Sequence, residues 1–118
     1  MIGVGIDAVD VARFSLILRR RGGFEERVFT PLERSICGGA PRRLAARFAA
    51  KEATMKALGV GLGAFGFHDV WVEREESGRP LLRVDGRAAA LAEVSGVSRW
   101  HLSLTHTDAV AEAVVVAE

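Results

Sequence analysis

Residues 42–59 have the sequence RRLAARFAAKEATMKALG, and this stretch carries the strongest helix signals of the 118-residue chain. Its alanines favour a helical backbone, and the final glycine is typical of the position just after a helix C-terminus. Its large apolar residues recur at helical spacing and form one stripe: Leu44, Phe48, Met55 and Leu58. The stretch therefore predicts a helix from Arg42 to Leu58, ended by Gly59.

Two charged side chains share one face of this helix. Glu52 and Lys56 are four residues apart, which brings the carboxylate and the ammonium group next to each other. A glutamate four residues before a lysine also forms an ordinary helix salt bridge, worth about 0.3 to 0.5 kcal/mol. A functional pair and a plain salt bridge are both open at this point.

The N-terminal residues predict a strand followed by a helix. Apolar side chains alternate with small or polar ones, as in a short strand with one apolar face: Ile2, Val4 and Ile6 against Gly3, Gly5 and Asp7. We expect this strand to end near Asp7. Helical spacing then runs from Val9 to Arg21, with a basic last turn and Gly22 as the stop. Asp7 is therefore either the N-cap of this helix or a functional carboxylate.

The rest of the chain completes a mixed pattern of helices and strands. Thr30, Pro31 and Glu33 form a capping-box pattern that starts a short helix up to Gly38. A hairpin, an alanine-rich helix and two strands are then predicted at residues 70–75, 81–84, 87–94, 100–105 and 109–116. The order β-α-α-α-β-β-α-β-β predicts an α+β fold with a largely antiparallel sheet and packed helices, in a single domain of residues 1–118.

Composition excludes several classes of protein. Sixteen basic and 15 acidic residues give a net charge of +1, whereas a generic nucleic-acid binder is usually more basic. No apolar run is long enough to span a membrane, and the single Cys37 excludes an internal disulfide, so we expect a cytoplasmic protein. Arginines cluster at 19–21 and 42–47, so a non-enzymatic module that binds an acidic partner is an alternative.

Several short motifs carry little on their own. Gly3 to Ala8 fits a dinucleotide-binding pattern, but no buried strand precedes its first glycine. His101 and His106 have opposite parity on one predicted strand, so they cannot share a zinc ion. The glycine-rich loop 59–63 is either a helix C-cap with a loose turn or a loop whose amides approach an anion.

Three stretches taken together closely resemble one family. They are Gly5-Ile6-Asp7 followed by Arg13, then RFAAKEA at 47–53 leading to KALG at 56–59, and WHLSLTH at 100–106. This set resembles the holo-acyl-carrier-protein synthases, the small bacterial 4′-phosphopantetheinyl transferases. The resemblance implies transfer of 4′-phosphopantetheine from coenzyme A to a serine of apo acyl carrier protein, which releases adenosine 3′,5′-bisphosphate and supports fatty acid biosynthesis. Wider use of peptidyl or polyketide carrier domains is an alternative with the same chemistry.

The resemblance also implies a role for each matching residue. Asp7 and Glu52 are expected to hold Mg²⁺ on the pyrophosphate, and either Glu52 or a metal-bound water removes the serine proton. Lys56 offsets charge on the phosphate oxygens or protonates the leaving group. The expected coenzyme A contacts are Lys56, Gly59, Gly61 and His101, and the expected carrier contacts are Arg13, Arg20 and Arg21. A homotrimer with active sites between subunits is also implied.

Overall fold

The predicted helix of residues 42–58 lies at the centre of the fold, which a computed structural model describes for all residues 1–118. The elements, in chain order, are β1 (Gly3–Asp10), α1 (Val11–Arg20), α2 (Phe24–Val28), α3 (Pro31–Cys37), α4 (Pro41–Leu58), a 3₁₀ turn (Phe67–Asp69), β2 (Val70–Arg74), β3 (Pro80–Val84), α5 (Gly86–Ser95), β4 (Trp100–His106) and β5 (Val110–Ala117). The α+β class is confirmed. The five-residue α2 was not predicted, because it is too short to show helical periodicity.

The strands form two antiparallel sheets. One has three strands in the order β1-β5-β4, and the other is the β2-β3 hairpin. In the larger sheet Asp7 lies opposite Ala113, which in turn lies opposite Leu104. Helix α4 packs across the inner face of this sheet through alanines and valines: Ala49, Ala50, Ala53, Ala57, Ala113, Val115 and Ala117. These small side chains bring the helix close to the strands.

Strand β1 packs its glycine face, not its apolar face, against α4. A Cβ atom on Gly3 would lie 1.9 Å from the carbonyl oxygen of Ala57, and one on Gly5 would lie 1.9 Å from that of Ala53. The apolar side chains of the strand point away from the core, and Val4 and Ile6 are 56% and 60% exposed. The backbones therefore meet at a distance that only glycine permits.

The end of β1 corrects two expectations. The strand continues three residues beyond Asp7, to Asp10. Asp10 is the N-cap of α1, because its Oδ1 accepts a hydrogen bond of 3.0 Å from the amide of Arg13. The prediction that the strand ends near Asp7 is wrong, and so is the N-cap interpretation of Asp7. The N-cap interpretation fails because the chain stays extended until it reaches the next aspartate.

The predicted start of α3 and the predicted end of α4 are confirmed, whereas α1 begins at Val11, two residues later than predicted. Thr30 and Glu33 form the reciprocal capping box of α3, at 3.1 and 3.2 Å. Gly59 ends α4 with a φ of 70°, in the left-handed region that favours glycine. Cys37 is free and buried in a hydrophobic cluster, and burial raises the pKa of its thiol. None of the helices is both long and apolar enough to cross a membrane.

Candidate active site

The close approach of β1 to α4 brings Asp7 to the helix. Asp7 follows Gly5 by two residues, so its side chain lies on the same, inner face of the strand. Only 14% of that side chain is exposed. The glycines earlier in the strand let this carboxylate approach the last turns of α4.

Lys56 is the partner of Asp7. Its Nζ donates a hydrogen bond of 3.0 Å to Asp7 Oδ1 and another of 2.8 Å to the carbonyl oxygen of Ile6. Lys56 and Glu52 form no ion pair within 4.0 Å, so the plain helix salt bridge is not the arrangement observed. The ammonium group instead joins α4 to β1, with 54% of the lysine side chain still exposed.

Glu52 completes a group of three charged side chains. Burial raises the pKa of the Glu52 carboxyl group, and the negative charge of Asp7 raises it further, while Lys56 lowers it. Asp7 and Glu52 both line a pocket of about 210 Å³. Two carboxyl groups therefore line one pocket, and the negative charge of Asp7 disfavours ionisation of Glu52.

Such a pair fits a hard divalent cation. Nowhere in the chain do three or more histidine, cysteine, aspartate or glutamate side chains lie close enough together to hold one metal ion. The chain therefore lacks a structural zinc site, in which four protein side chains coordinate the ion. Mg²⁺ commonly uses only one or two carboxylates and takes its other ligands from water and substrate phosphates. The all-oxygen pair of Asp7 and Glu52 suits Mg²⁺, because the cation would relieve the repulsion that raises the pKa of Glu52.

A larger apolar pocket of about 460 Å³ adjoins Glu52 and Lys56. Four phenylalanine rings pack on one another around it, and they come from α1, α2, α4 and the 3₁₀ turn: Phe14, Phe24, Phe48 and Phe67. Gly61 lines this pocket, whereas Gly59 forms the helix C-cap and does not. Of the two glycines predicted to contact coenzyme A, Gly61 therefore lines a pocket and Gly59 ends a helix.

The arginines predicted for carrier binding surround a groove on α1. Arg13, Arg20 and Arg21 line a space of about 250 Å³ together with Leu16 and Ile17. Arg13 also lines the pocket of Asp7 and Glu52, and Arg21 lines the apolar pocket. The basic groove is therefore continuous with the charged group.

His101 is not brought to these residues within one chain. It lies opposite Val116, which lies opposite Val4 on the exposed face of β1. Asp7 has the other parity and faces α4, so the sheet separates the two side chains. His101 Nε2 instead lies 2.8 Å from Glu118 Oε1.

A cationic cavity of about 390 Å³ has no counterpart among the sites predicted from the sequence. Its charged and polar lining comes from α4, β2 and β4: Arg43, Arg47, Arg74, Thr105 and His106. Arg47 is only 1% exposed, yet its Nε and Nη2 atoms have no hydrogen-bond partner, which is costly for a buried group. Unpartnered guanidinium donors in a cavity suit an anion. Spacing could have placed Arg43 and Arg47 on one helix face, but it could not have predicted the burial of Arg47.

The same geometry argues against the arginine-rich binding module. Arg42 is paired with Asp108 at 3.0 Å, and Arg47 is buried. The 42–47 cluster is therefore split between a surface ion pair and an internal cavity. It does not form one exposed basic patch.

Comparisons with known proteins agree over nearly the whole chain. The sequence model of the 4′-phosphopantetheinyl transferase superfamily matches residues 3–115. The holo-acyl-carrier-protein synthase of Frankia alni is 51% identical over 118 residues, covering 100% of this chain and 98% of that protein. The crystal structure of the Helicobacter pylori synthase in complex with coenzyme A has a TM-score of 0.86 at 31% identity, covering 98% of this chain and 99% of the other. The crystal structure of the Bacillus anthracis synthase in complex with CoA (3′,5′-ADP) has a TM-score of 0.81 at 33% identity, covering 98% of this chain and 95% of the other.

Proposed function

Because the chain belongs to the 4′-phosphopantetheinyl transferase superfamily, we propose that it is a holo-acyl-carrier-protein synthase. The serine Oγ of apo acyl carrier protein attacks the phosphorus that bears the pantetheine arm of coenzyme A. An Oγ–P bond forms and the bond to the other phosphate breaks, so adenosine 3′,5′-bisphosphate leaves. The convergence of Asp7, Glu52 and Lys56 on one site carries this proposal. The product supports fatty acid biosynthesis.

The charged group supplies what this reaction needs. Asp7 and Glu52 would hold Mg²⁺, which offsets negative charge on the pyrophosphate when it is bound. Glu52 is the only carboxylate on the apolar pocket, and we assign it the role of accepting the serine proton. Lys56 lines the same pocket, and we assign it the role of stabilising charge on the departing phosphate.

Coenzyme A also carries a 3′-phosphate, which requires a second cationic site. The cavity of Arg43, Arg47 and Arg74 offers such a site, with His106 rather than His101 in its lining. It shares no lining residue with either pocket at Glu52. We propose that a single coenzyme A reaching both sites would lie between two copies of the chain.

This arrangement supports the homotrimer with interfacial active sites. The outer face of β1 leaves Val4 and Ile6 more than half exposed, and on β5 the outward Val110 is also exposed. An apolar sheet face of this kind is typical of a surface covered by another chain. His101 lies on that same face, so in the trimer it would meet a neighbouring subunit.

The carrier protein is proposed to dock on the groove of Arg13, Arg20 and Arg21. Acyl carrier proteins are acidic, and guanidinium groups pair well with carboxylates. The groove continues into the pocket of Asp7 and Glu52, so a docked carrier would present its serine to the charged group.

We regard residues 1–118 as one transferase domain that acts in the cytoplasm, with neither nucleic acid nor membrane as a partner.

One assay tests this function. The protein is incubated with apo acyl carrier protein, coenzyme A and Mg²⁺, and the carrier is weighed by mass spectrometry. We expect the carrier to gain one phosphopantetheine group, and to gain none when Mg²⁺ is removed with a chelator. Apo peptidyl and polyketide carrier domains in parallel reactions define the range of carriers. An unmodified acyl carrier protein under all conditions would contradict the proposal.

A further inference from the structure

The chain has only two lysines, and the one beside Glu52 is completely buried. Lys51 and its partner Glu33 both have 0% of their side chains exposed. Lys51 Nζ donates hydrogen bonds to Glu33 Oε1 at 2.8 Å, to the carbonyl oxygen of Phe67 at 2.9 Å and to that of Val70. All three ammonium hydrogens therefore have protein acceptors.

The carboxylate of Glu33 is equally occupied. Its Oε1 accepts from Lys51 and from the amide of Thr30, and its Oε2 accepts from the amide of Val72 at 3.1 Å. Both charged groups are completely buried and hydrogen-bonded within the protein, so a substrate has no access to either of them. Lys51 is consequently not a catalytic residue, although it is the sequence neighbour of Glu52.

The ion pair joins three parts of the chain, two of which, α4 and the 3₁₀ turn, contribute residues to the apolar pocket. Glu33 belongs to α3 and Lys51 to α4, while the two carbonyl groups lie at the start of the 3₁₀ turn and the start of β2. The ring of Phe67 is 5.9 Å from the ring of Phe48, and both line the pocket with Glu52. Lys51 thus fixes the backbone of a residue that forms the pocket wall.

We propose that Lys51, held by Glu33, is a positioning residue that sets the Phe67 wall of the apolar pocket relative to Glu52. The expected effect on kcat/KM rests on the proposed transferase function. The expected effect on the backbone around Phe67 does not. Asp7 is placed independently by the contact of β1 with α4. Loss of Lys51 should therefore disturb the pocket and leave the cation site in place.

A double-mutant cycle tests the kinetic consequence. The variants are Lys51→Met, Phe67→Leu and the two combined, assayed well below their melting temperatures. We expect each single variant to lower kcat/KM for the carrier roughly 10- to 100-fold, since small misplacements at a reacting centre have effects of that size. The double variant should be little worse than Lys51→Met, because both changes act on the same wall. The Mg²⁺ concentration for half-maximal rate should change less than about twofold.

A control variant separates positioning from loss of stability. Leu102→Ala removes packing against the cluster of α4, β2 and β5, none of whose members lines the apolar pocket. It should lower the melting temperature and leave kcat/KM within about twofold of the unmodified protein. If Leu102→Ala and Lys51→Met reduce kcat/KM equally, or if the free-energy effects of Lys51→Met and Phe67→Leu simply add in the double variant, the positioning role is overturned.

Two further measurements keep the proposal falsifiable. Amide hydrogen exchange should accelerate at residues 66–72 in Lys51→Met and stay unchanged in β1. This measurement needs no substrate, so it tests whether Lys51 positions residues 66–72 even if the protein has no transferase activity. Unchanged exchange at 66–72 would overturn the positioning role of Lys51. If Lys51→Met does not fold, Phe67→Leu still decides, because an unaltered kcat/KM in that variant contradicts a role for the wall.

Discussion

A side chain at Gly5 would place its Cβ 1.9 Å from the carbonyl oxygen of Ala53, well inside any normal contact. This contact between β1 and α4 determines how near Asp7 comes to Glu52 and Lys56. The glycine in the Gly-Ile-Asp motif therefore serves the site through packing. The strand and the helix are in contact here through backbone atoms, and no flexible side chain lies between them that could rearrange to make room.

Gly5→Ala should consequently damage both stability and activity. We expect the free energy of unfolding to fall by about 1 to 3 kcal/mol, because the strand must move away from the helix. Transfer should slow by more than this loss of folded protein explains, because Asp7 moves with the strand. Urea unfolding and the transfer assay measure the two effects. Gly22→Ala is the matched control, since a Cβ there meets nothing within 4 Å.

Lys56→Met should separate cation binding from turnover. Lys56 is half-exposed but the Asp7 carboxylate is mostly buried, so loss of the pair should cost about 1 to 3 kcal/mol of stability. Turnover should fall steeply, because charge on the leaving phosphate is no longer offset. Lys56 Nζ lies 3.0 Å from the oxygen that a cation would use, so its removal should tighten binding of Mn²⁺ to the protein alone, at least roughly fivefold. Mn²⁺ titration followed by electron paramagnetic resonance measures this, and weaker binding would contradict it.

The raised pKa of Glu52 makes stability depend on pH. The folded protein binds this proton more tightly than the unfolded chain, so stability falls as the pH rises through the window between the ordinary carboxyl pKa and the raised one. Glu52→Gln removes this dependence. In metal-free buffer we expect Glu52→Gln to melt higher than the unmodified protein above that window, and the two to converge below it. A difference in melting temperature between the two proteins that stays constant across the whole pH range would show that folding does not raise the pKa of Glu52.

Arg13→Glu tests the docking groove. Reversing this charge should raise KM for the carrier by an order of magnitude or more, and change KM for coenzyme A little, because the groove faces the acidic partner. Added salt should weaken carrier binding by the unmodified protein. Arg19→Glu is the matched control, because it lies on the same helix and does not line the groove. Equal effects of the two reversals would place the docking surface elsewhere.

Local sequence signals predicted four of the five α-helices, because the ends of those helices depend largely on nearby residues. Thr30 and Glu33 cap α3 reciprocally, and Gly59 can end α4 without help from the rest of the chain. The face of β1 could not be predicted in this way. Alternation shows which residues share a face, but only the position of α4 decides that the glycines lie inside.

The site was predicted in part for the same reason. Asp7, Glu52 and Lys56 converge as the resemblance implied, since each lies on an element that the sequence defines well. The burial of Arg47 was not foreseen, because arginine is normally exposed and nothing in its spacing indicates a cavity. His101 lies across the sheet from Asp7, and the strand pairing that places it there cannot be read from the alternation within one strand.

The most direct test of the central claim compares two aspartates in one pocket. Asp7 and Asp10 both line the space beside Glu52, but only Asp7 contacts Lys56, while Asp10 caps α1. The measurement is the initial rate of phosphopantetheine transfer by Asp7→Asn and Asp10→Asn at saturating Mg²⁺. We predict a loss of roughly a hundredfold or more for Asp7→Asn and a nearly normal rate for Asp10→Asn, since asparagine caps a helix as well as aspartate does. A normal rate for Asp7→Asn would contradict the account.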